Sequence, residues 1–415
     1  MKFEIIETKT VPTVAVNINQ RKLYFHSKYD PMNEAEMWVE KQMESIDPEN
    51  PILVIGLAGG YHINLLAKRL PENHIVYFEA DEEYINWFRK TDLHKNVKLS
   101  NIEKLSLNEL KIMLSSIKQS NLLLYKQSID LIPKRYSELK EILNTIYIQL
   151  SSIENHSQQL NKNFVENLKL GIPFFNLNSD YKGKHMVLVS AGPSLDLHYD
   201  ILKKKVNDSE VVVGAVGRAI KPLINNGVRL NFGIITDPNH STKGHLEGLP
   251  DHFKMFFLST AYHLTVKEFS GEKELLFQED YNRAELFANK EKLPLIKTGG
   301  SVATTLLDLM VKMKPKSIAL IGQDLAFSNL QTHSTYAVQT SIRTEKREDL
   351  KVLSYNRDSY IPTSLNLNSY RKWFEHYKAR NPELLLFNCT EGGAYIKGWE
   401  HISFEKYLKS ITKTK

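Results

Sequence analysis

The rhythm of apolar and polar positions changes most clearly between Gly183 and Asn239. Three short runs, Met186–Val189, Val211–Val213 and Phe232–Ile235, are apolar without interruption and rich in β-branched residues. The segments between them, Leu195–Lys205 and Arg218–Asn226, have the length and mixed composition of helices. Strands without alternation are buried on both faces, so this pattern predicts a parallel sheet covered by helices. In such sheets ligands bind beyond the carboxyl ends of the strands. Those ends carry Ser190-Ala191-Gly192-Pro193-Ser194, Gly214-Ala215-Val216-Gly217-Arg218 and Thr236-Asp237-Pro238-Asn239, a row of small, polar and charged groups.

Upstream, alternating apolar positions (Phe3, Ile5, Val11, Val14, Val16) predict a small sheet, and Pro31–Ser45 an amphipathic helix with proline in its first turn. A second α/β unit follows: strand Ile52–Ile55, the glycines Gly56, Gly59 and Gly60, a helix from about Tyr61, and strand His74–Phe78 closed by Glu79. This turn resembles the cofactor loop of S-adenosylmethionine methyltransferases, in which the acid would bond a ribose hydroxyl. The alternative is a tight strand-to-helix connection that needs glycine for its own backbone. Asp81-Glu82-Glu83 reads as a helix start. Asn101 to about Leu170 is mainly helical and ends in a long glycine-free connecting helix; Gly171-Ile172-Pro173 stops it and Asn176–Lys184 is a polar linker.

Downstream, Asn239–Asp251 reads as a His- and Gly-rich loop holding His240 and His245. Strands are expected at Met255–Leu258, Glu274–Phe277, Pro294–Lys297, Ser317–Ile321 and Leu384–Asn388, with helices after Ser301 and over Asn366–Lys378. Ser334–Tyr360 has no convincing periodicity and reads as a lid or a disordered connection. The expected architecture is α/β: two Rossmann-like units with mostly parallel sheets, a small N-terminal sheet and a helical connector. The domains are 1–50, 51–150, the connector 151–180, and 181–415.

At 415 residues, one core is too few. A hydrophobic content of 42% with 25% charged residues fits a globular protein, and the formal charge of +6 suits an anionic small ligand without calling for nucleic acid. The single cysteine, Cys389, rules out an internal disulfide framework and suits a reducing compartment. No signal-peptide pattern or bilayer-length apolar run is present, so a cytoplasmic protein is expected.

Four strand ends share one decoration: Ala191-Gly192-Pro193-Ser194, Thr298-Gly299-Gly300-Ser301, Gly322-Gln323-Asp324 and Thr390-Glu391-Gly392-Gly393. Two lead directly into helices, whose N-terminal N–H groups and dipoles attract phosphate or carboxylate. Ser194 and Ser301 either donate to that anion or cap their own helices. Asp237 and Asp324 could reach magnesium or ribose hydroxyls, or brace their own loops. An ATP P-loop, zinc-ligand spacings and a GxSxG elbow are all missing.

The segments VLVSAGPSLD, ITDPN, TGGSVATTLLDL, IGQDLAFSNLQTHS and TEGGAYIKGW, in that order, resemble the Maf (motility accessory factor) family over roughly residues 160–400. These are glycosyltransferases that attach sialic-acid-like nonulosonic acids to flagellin for flagellum assembly and motility. A related archaeal enzyme, which pyrophosphorylates a hydroxymethylpterin, shares the AGPSLD-type loop. The resemblance implies a CMP-nonulosonate donor (pseudaminic, legionaminic or a similar acid) and a serine or threonine hydroxyl of flagellin, before export, as acceptor. By similarity to bacterial sialyltransferases, Ala191, Gly192, Pro193 and Ser194 would hold the CMP. Thr298, Gly299, Gly300 and Ser301 would meet the donor's phosphate and carboxylate, with Gly217, Thr236, Asp237, Gly322, Gln323, Thr390 and Gly392 completing the site.

A leaving phosphate needs hydrogen-bond donors and a hydroxyl acceptor needs a base. His333 is the first candidate base, Asp324 the second and Glu391 the third. No cofactor beyond the donor is required, magnesium is a candidate, and a homo-oligomer is compatible with the sequence. Many Maf chains continue beyond the TEGG motif into a helical domain that engages flagellin, whereas this sequence stops at Lys415, which leaves the acceptor open. Two other readings stand: an ATP- and magnesium-dependent hydroxymethylpterin pyrophosphokinase, and a flagellin-binding module without catalysis.

Overall fold

The uninterrupted apolar runs of the C-terminal part all become strands of one parallel sheet. The computed structural model describes residues 3–18, 21–43, 46–79, 82–88, 97–100, 117, 119–132, 137–155, 157–177, 181–205, 210–327, 333–335 and 350–412. Contacts divide the chain into two units, Met1–Ser151 and Ser152–Lys415. The partition falls inside a helix, upstream of the polar linker at Asn176–Lys184, and places the following helix with the second unit. Most of the helical stretch expected over Asn101–Ile117 lies outside the described residues.

Among the described residues, the first unit opens with an antiparallel sheet of β1 (Phe3–Ile6), β2 (Thr13–Ile18) and β3 (Arg21–Tyr24), followed by α1 (Pro31–Met43). Then come β4 (Ile52–Ile55), α2 (Tyr61–Arg69), β5 (Ile75–Phe78), α3 (Glu82–Phe88), β6 (Val97–Ser100), β7 (Leu122–Leu124), α4 (Lys126–Leu131) and α5 (Ser137–Asn155). The last four strands form a parallel sheet in the order β6-β5-β4-β7. All four residues of β4 are buried, as their unbroken apolar run requires.

The glycine-rich turn after β4 is closed by its own unit. Gly56 has φ 108°, and a Cβ there would lie 2.5 Å from Ser128 Cβ; one on Gly59 would lie 2.9 Å from the His26 ring. The Glu79 carboxylate accepts the Leu57 N–H at 2.9 Å, and the Tyr84 hydroxyl donates to the Ala58 carbonyl. This fits the tight strand-to-helix connection rather than a cofactor loop: the buried Glu79 braces the turn itself. Protein side chains account for the glycines.

The second unit begins with α6 (Ser157–Lys169). The chain then runs through β8 (His185–Val189), α7 (Tyr199–Lys205), β9 (Val211–Val216), α8 (Gly217–Asn225), β10 (Phe232–Ile235), β11 (Lys254–Leu258), α9 (His263–Glu268) and β12 (Glu272–Gln278). It continues as α10 (Asn282–Glu291), β13 (Leu295–Ile296), α11 (Val302–Lys312), β14 (Ser317–Ile321), β15 (Leu350–Leu353), β16 (Tyr360–Thr363), α12 (Leu365–Arg380), β17 (Leu386–Asn388), β18 (Glu400–His401) and α13 (Phe404–Thr412). Nine strands pair in parallel in the order β13-β12-β11-β10-β9-β8-β14-β17-β18. The chain steps outward from β8 to β13, then returns to lay β14 on the other side of β8. The strand order thus reverses between β8 and β14, where an open α/β sheet forms its ligand crevice.

Three local expectations are corrected. The predicted helix Leu195–Lys205 is a 3-10 helix, Pro193–Leu197, followed by α7, because Pro193 starts the turn early. The expected loop Asn239–Asp251 contains a second 3-10 helix, His240–His245. Part of the aperiodic Ser334–Tyr360 stretch is the antiparallel pair β15–β16, whose short strands offer too few alternations to be read; residues 336–349 lie outside the described set.

Two asparagines one turn apart on α6 hold the carboxyl ends of β10 and β11. Asn163 Nδ2 donates to the carbonyls of Pro238 and Thr260, both at 3.0 Å, while its Oδ1 accepts from His263 Nδ1 at 2.8 Å. Asn167 Nδ2 donates to the carbonyls of Ser259 and Ala261 at 3.0 and 2.8 Å. These turns have lost their strand partners, and the amides supply the missing donors. Asn163→Ala is expected to cost about 2–4 kcal/mol by denaturant unfolding, the penalty for orphaning two carbonyls. Asn163→Asp keeps the size and the acceptor but loses both donors, so it should cost at least as much; a near-neutral Asp variant would refute the assignment.

Candidate functional site

The switch point is built around Asp324. Its carboxylate, 4% exposed, accepts the Ser194 hydroxyl at 2.7 Å and faces the Ser194 N–H at 3.3 Å, joining the turn after β14 to the turn after β8. Ser190 Oγ donates to Gln323 Oε1 at 2.6 Å, and the Gly192 N–H to the Gly322 carbonyl at 2.8 Å. Such close approach leaves no room for side chains. A Cβ on Gly192 would lie 2.0 Å from Asp324 Oδ2, and one on Gly322, at φ 67°, 2.3 Å from the Ser190 carbonyl.

Beside this lock lies a cleft of about 250 Å³, smaller than pockets that enclose a drug-sized ligand (~300–1,000 Å³). Two helices start at its wall. Gly217 and Arg218 open α8, which no side chain caps, and Ser301, Val302 and Ala303 lie at the start of α11. Their N-terminal dipoles direct partial positive charge into the cleft, and Arg218 adds a full one.

Arg218 Nη1 lies 3.1 Å from His333 Nε2. A guanidinium only donates, so Nε2 accepts and the imidazole is neutral in this arrangement. Burial, aided by the Arg218 charge, holds the His333 pKa below the ordinary imidazole value. His245 is shifted the same way by burial and Arg218, against a smaller opposing pull from Asp237.

Of the residues expected from sequence, the cleft gathers Ala191, Gly192, Pro193, Gly217, Thr236, Asp237, Ser301, Gly322, Gln323, Asp324 and His333. Ser194 is drawn to Asp324. Ser301 caps α11 in a reciprocal box with Thr304, whose Oγ1 also accepts the Gly299 N–H. Thr298, Gly299 and Gly300 do not line the cleft; a Cβ on Gly299 would strike the Trp373 ring at 2.6 Å. Thr390 Oγ1 accepts the Gln323 N–H at 3.3 Å, and Gly392 packs on Ser194, so both sit behind the wall. Glu391 faces elsewhere: its Oε1 accepts the Phe404 N–H at 2.8 Å and lies 3.3 Å from His198 Nε2. The placement of Glu391 in the reacting site is corrected on that ground.

Asp237 Oδ1 accepts from the Asn239 backbone and side chain at 2.8 and 3.0 Å, a turn that braces its own loop. Asp324 in turn takes the Ser194 hydroxyl at 2.7 Å. Among the described residues, no three His, Cys, Asp or Glu side chains cluster as metal ligands. Sequence reasoning placed Arg218 at a strand end and His245 in a loop without giving either a role; both line the cleft. Arg218 was visible as the cation directly after a strand end, whereas His245 needed the 3-10 helix to bring it there.

These features define a Rossmann-like α/β protein with a cleft, lined by Arg218 and two helix N-termini, where its strand order reverses. Residues 158–330, which run from α6 to the loop beyond β14, match the family model described as 6-hydroxymethylpterin diphosphokinase MptE-like. The fold is similar to that of the Maf glycosyltransferase of Magnetospirillum magneticum AMB-1, at a TM-score of 0.53 and 12% identity, over 97% of this chain and 71% of that one. No curated protein matches the sequence. No helix among the described residues is long and apolar enough to cross a membrane.

Two outcomes test this geometry. An NMR titration should place the His333 midpoint below about 6.5, and Arg218→Gln should raise it, since removing a neighbouring cation favours the protonated ring. Gly192→Ala should abolish the native cleft, because its Cβ meets backbone at 2.5 Å as well as Asp324, whereas Gly244→Ala, with nothing within 4 Å, should melt within a few degrees of the wild type. Equal stability of the two would sink the close-approach argument.

Proposed function

We propose that this protein is a glycosyltransferase whose switch-point cleft takes the phosphate-bearing end of a nucleotide-activated sugar. The observation that carries the reading is the convergence of Arg218 with the N-termini of α8 and α11 on one small cleft. Preorganised donors aimed at a departing phosphate are what transfer from such a donor requires. The fold likeness to a Maf glycosyltransferase supports the reading. On it, the donor is a CMP-nonulosonic acid of the pseudaminic or legionaminic type, and the acceptor a serine or threonine hydroxyl of flagellin in the cytoplasm.

In the proposed reaction the bond between the anomeric carbon and the phosphate oxygen breaks, and CMP leaves with its electron pair. The acceptor oxygen forms the new bond from the opposite face, and its proton passes to His333 Nε2. Arg218 turns from that nitrogen to the donor's anion, which frees the base and supplies charge where charge develops.

The family match over residues 158–330 favours a second reading, in which the cleft takes ATP and a pterin acts as the attacking hydroxyl compound. Calorimetric titration with CMP, and separately with ATP plus magnesium, decides between them. The transferase reading expects CMP to bind and Arg218→Gln to weaken it roughly tenfold, about the share of one charge-assisted hydrogen bond. ATP binding without CMP binding would overturn it in favour of the diphosphokinase. Binding of neither, with flagellin retained on a pull-down, would leave a non-catalytic module.

A further inference from the structure

The aspartate of the AGPSLD segment has no part in the chemistry above, yet its carboxylate is fully engaged. Asp196 lies in the 3-10 turn Pro193–Leu197 and faces the chain that carries His333. Its Oδ1 accepts the Ser334 hydroxyl, and its Oδ2 accepts the Thr335 N–H at 3.0 Å and the Thr335 hydroxyl at 2.6 Å. The Ser334 N–H donates to the Ala191 carbonyl at 2.9 Å, and the Tyr199 hydroxyl lies 3.5 Å from Ser334 Oγ. Among the described residues, these contacts tie 334–335 to the turn after β8. Consecutive Cα atoms are only about 3.8 Å apart, so pinning Ser334 holds the His333 backbone beside the cleft that its side chain lines. There it meets Arg218 at 3.1 Å.

We propose that Asp196 is a positioning residue: by holding Ser334 and Thr335 it delivers the His333 imidazole to Arg218 at the cleft. Its purpose rests on the transferase reading, but the geometry does not. An ionised carboxylate taking three donors makes charge-assisted bonds, stronger than the neutral bonds that fix most loops. An asparagine can accept at one atom only, so Asp196→Asn should keep part of the clamp and Asp196→Ala none of it. The other charged and titratable groups lining this cleft are Asp237, His245, Asp324 and Tyr370. None of the four bonds residues 334–335 in the contacts above.

The test uses the full chain without donor, so failure of the transferase reading leaves it intact. The midpoint of His333 is followed by NMR, and its modification by diethyl pyrocarbonate is timed. Asp196→Ala should bring the midpoint to about 6.5 and raise the modification rate severalfold. In that background the shift produced by Arg218→Gln should vanish, since the two groups no longer meet. Thr335→Val, at an exposed position, should move both readouts part of the way and serves if Asp196→Ala fails to fold. A His333 that titrates and reacts as in the wild type in these variants, or that still responds to Arg218→Gln beside Asp196→Ala, would overturn the proposal.

Discussion

The second unit depends on one buried carboxylate. At the switch point Asp324 ties the turn after β14 to the turn after β8, by taking the hydroxyl of Ser194 and facing its N–H. A carboxylate with 4% exposure needs hydrogen-bond partners to offset its burial. Those donors come from a turn that can approach only because glycine stands at 192, 322 and 393, where a Cβ would lie 2.0–2.3 Å from Asp324 or the Ser190 carbonyl. The lock also sets the cleft's electrostatics. With the acid's own donors supplied by Ser194, the helix starts at Gly217 and Val302 and the Arg218 guanidinium face the remaining space.

Burial, and after it the Arg218 charge, lowers the pKa of both imidazoles that line the cleft, His245 and His333. A cation beside His333 disfavours a second charge, and burial acts the same way. The ring therefore stays in its proton-accepting form, while the atom that would accept is held by the guanidinium. On the proposed transferase reading, the donor's anion would compete for Arg218 and leave that nitrogen free.

The two α/β units show how similar sequence signals lead to different sites. Each has a glycine-bearing turn after a central parallel strand. In the first unit Ser128, Tyr125, His26 and Glu79 fill and brace the turn from within. In the second, Asp324 braces the turn from below and a cleft stays open beside it. Glycine spacing reports only that something comes close to the backbone; it does not say whether that is a ligand or the protein's own side chains.

The α/β class, the succession of buried parallel strands and the edge where chemistry would gather were legible in the sequence, since unbroken β-branched runs and small residues at strand ends have few other physical explanations. Gly192, Pro193, Gly217, Thr236, Asp237, Gly322 and Asp324 stand at those ends and line the cleft, whereas His333 was singled out by the family resemblance. What each does was not legible. Ser194 and Glu391 carry the same groups whether they meet a ligand or a neighbouring loop, and only their partners, Asp324 and the Phe404 N–H, show which. The meeting of Arg218 with His333, 115 positions apart, and the hold of Asp196 on residues 334–335 arise from strand order. Local composition constrains a residue's own backbone and burial, but contacts across a switch point exist only once the sheet is assembled.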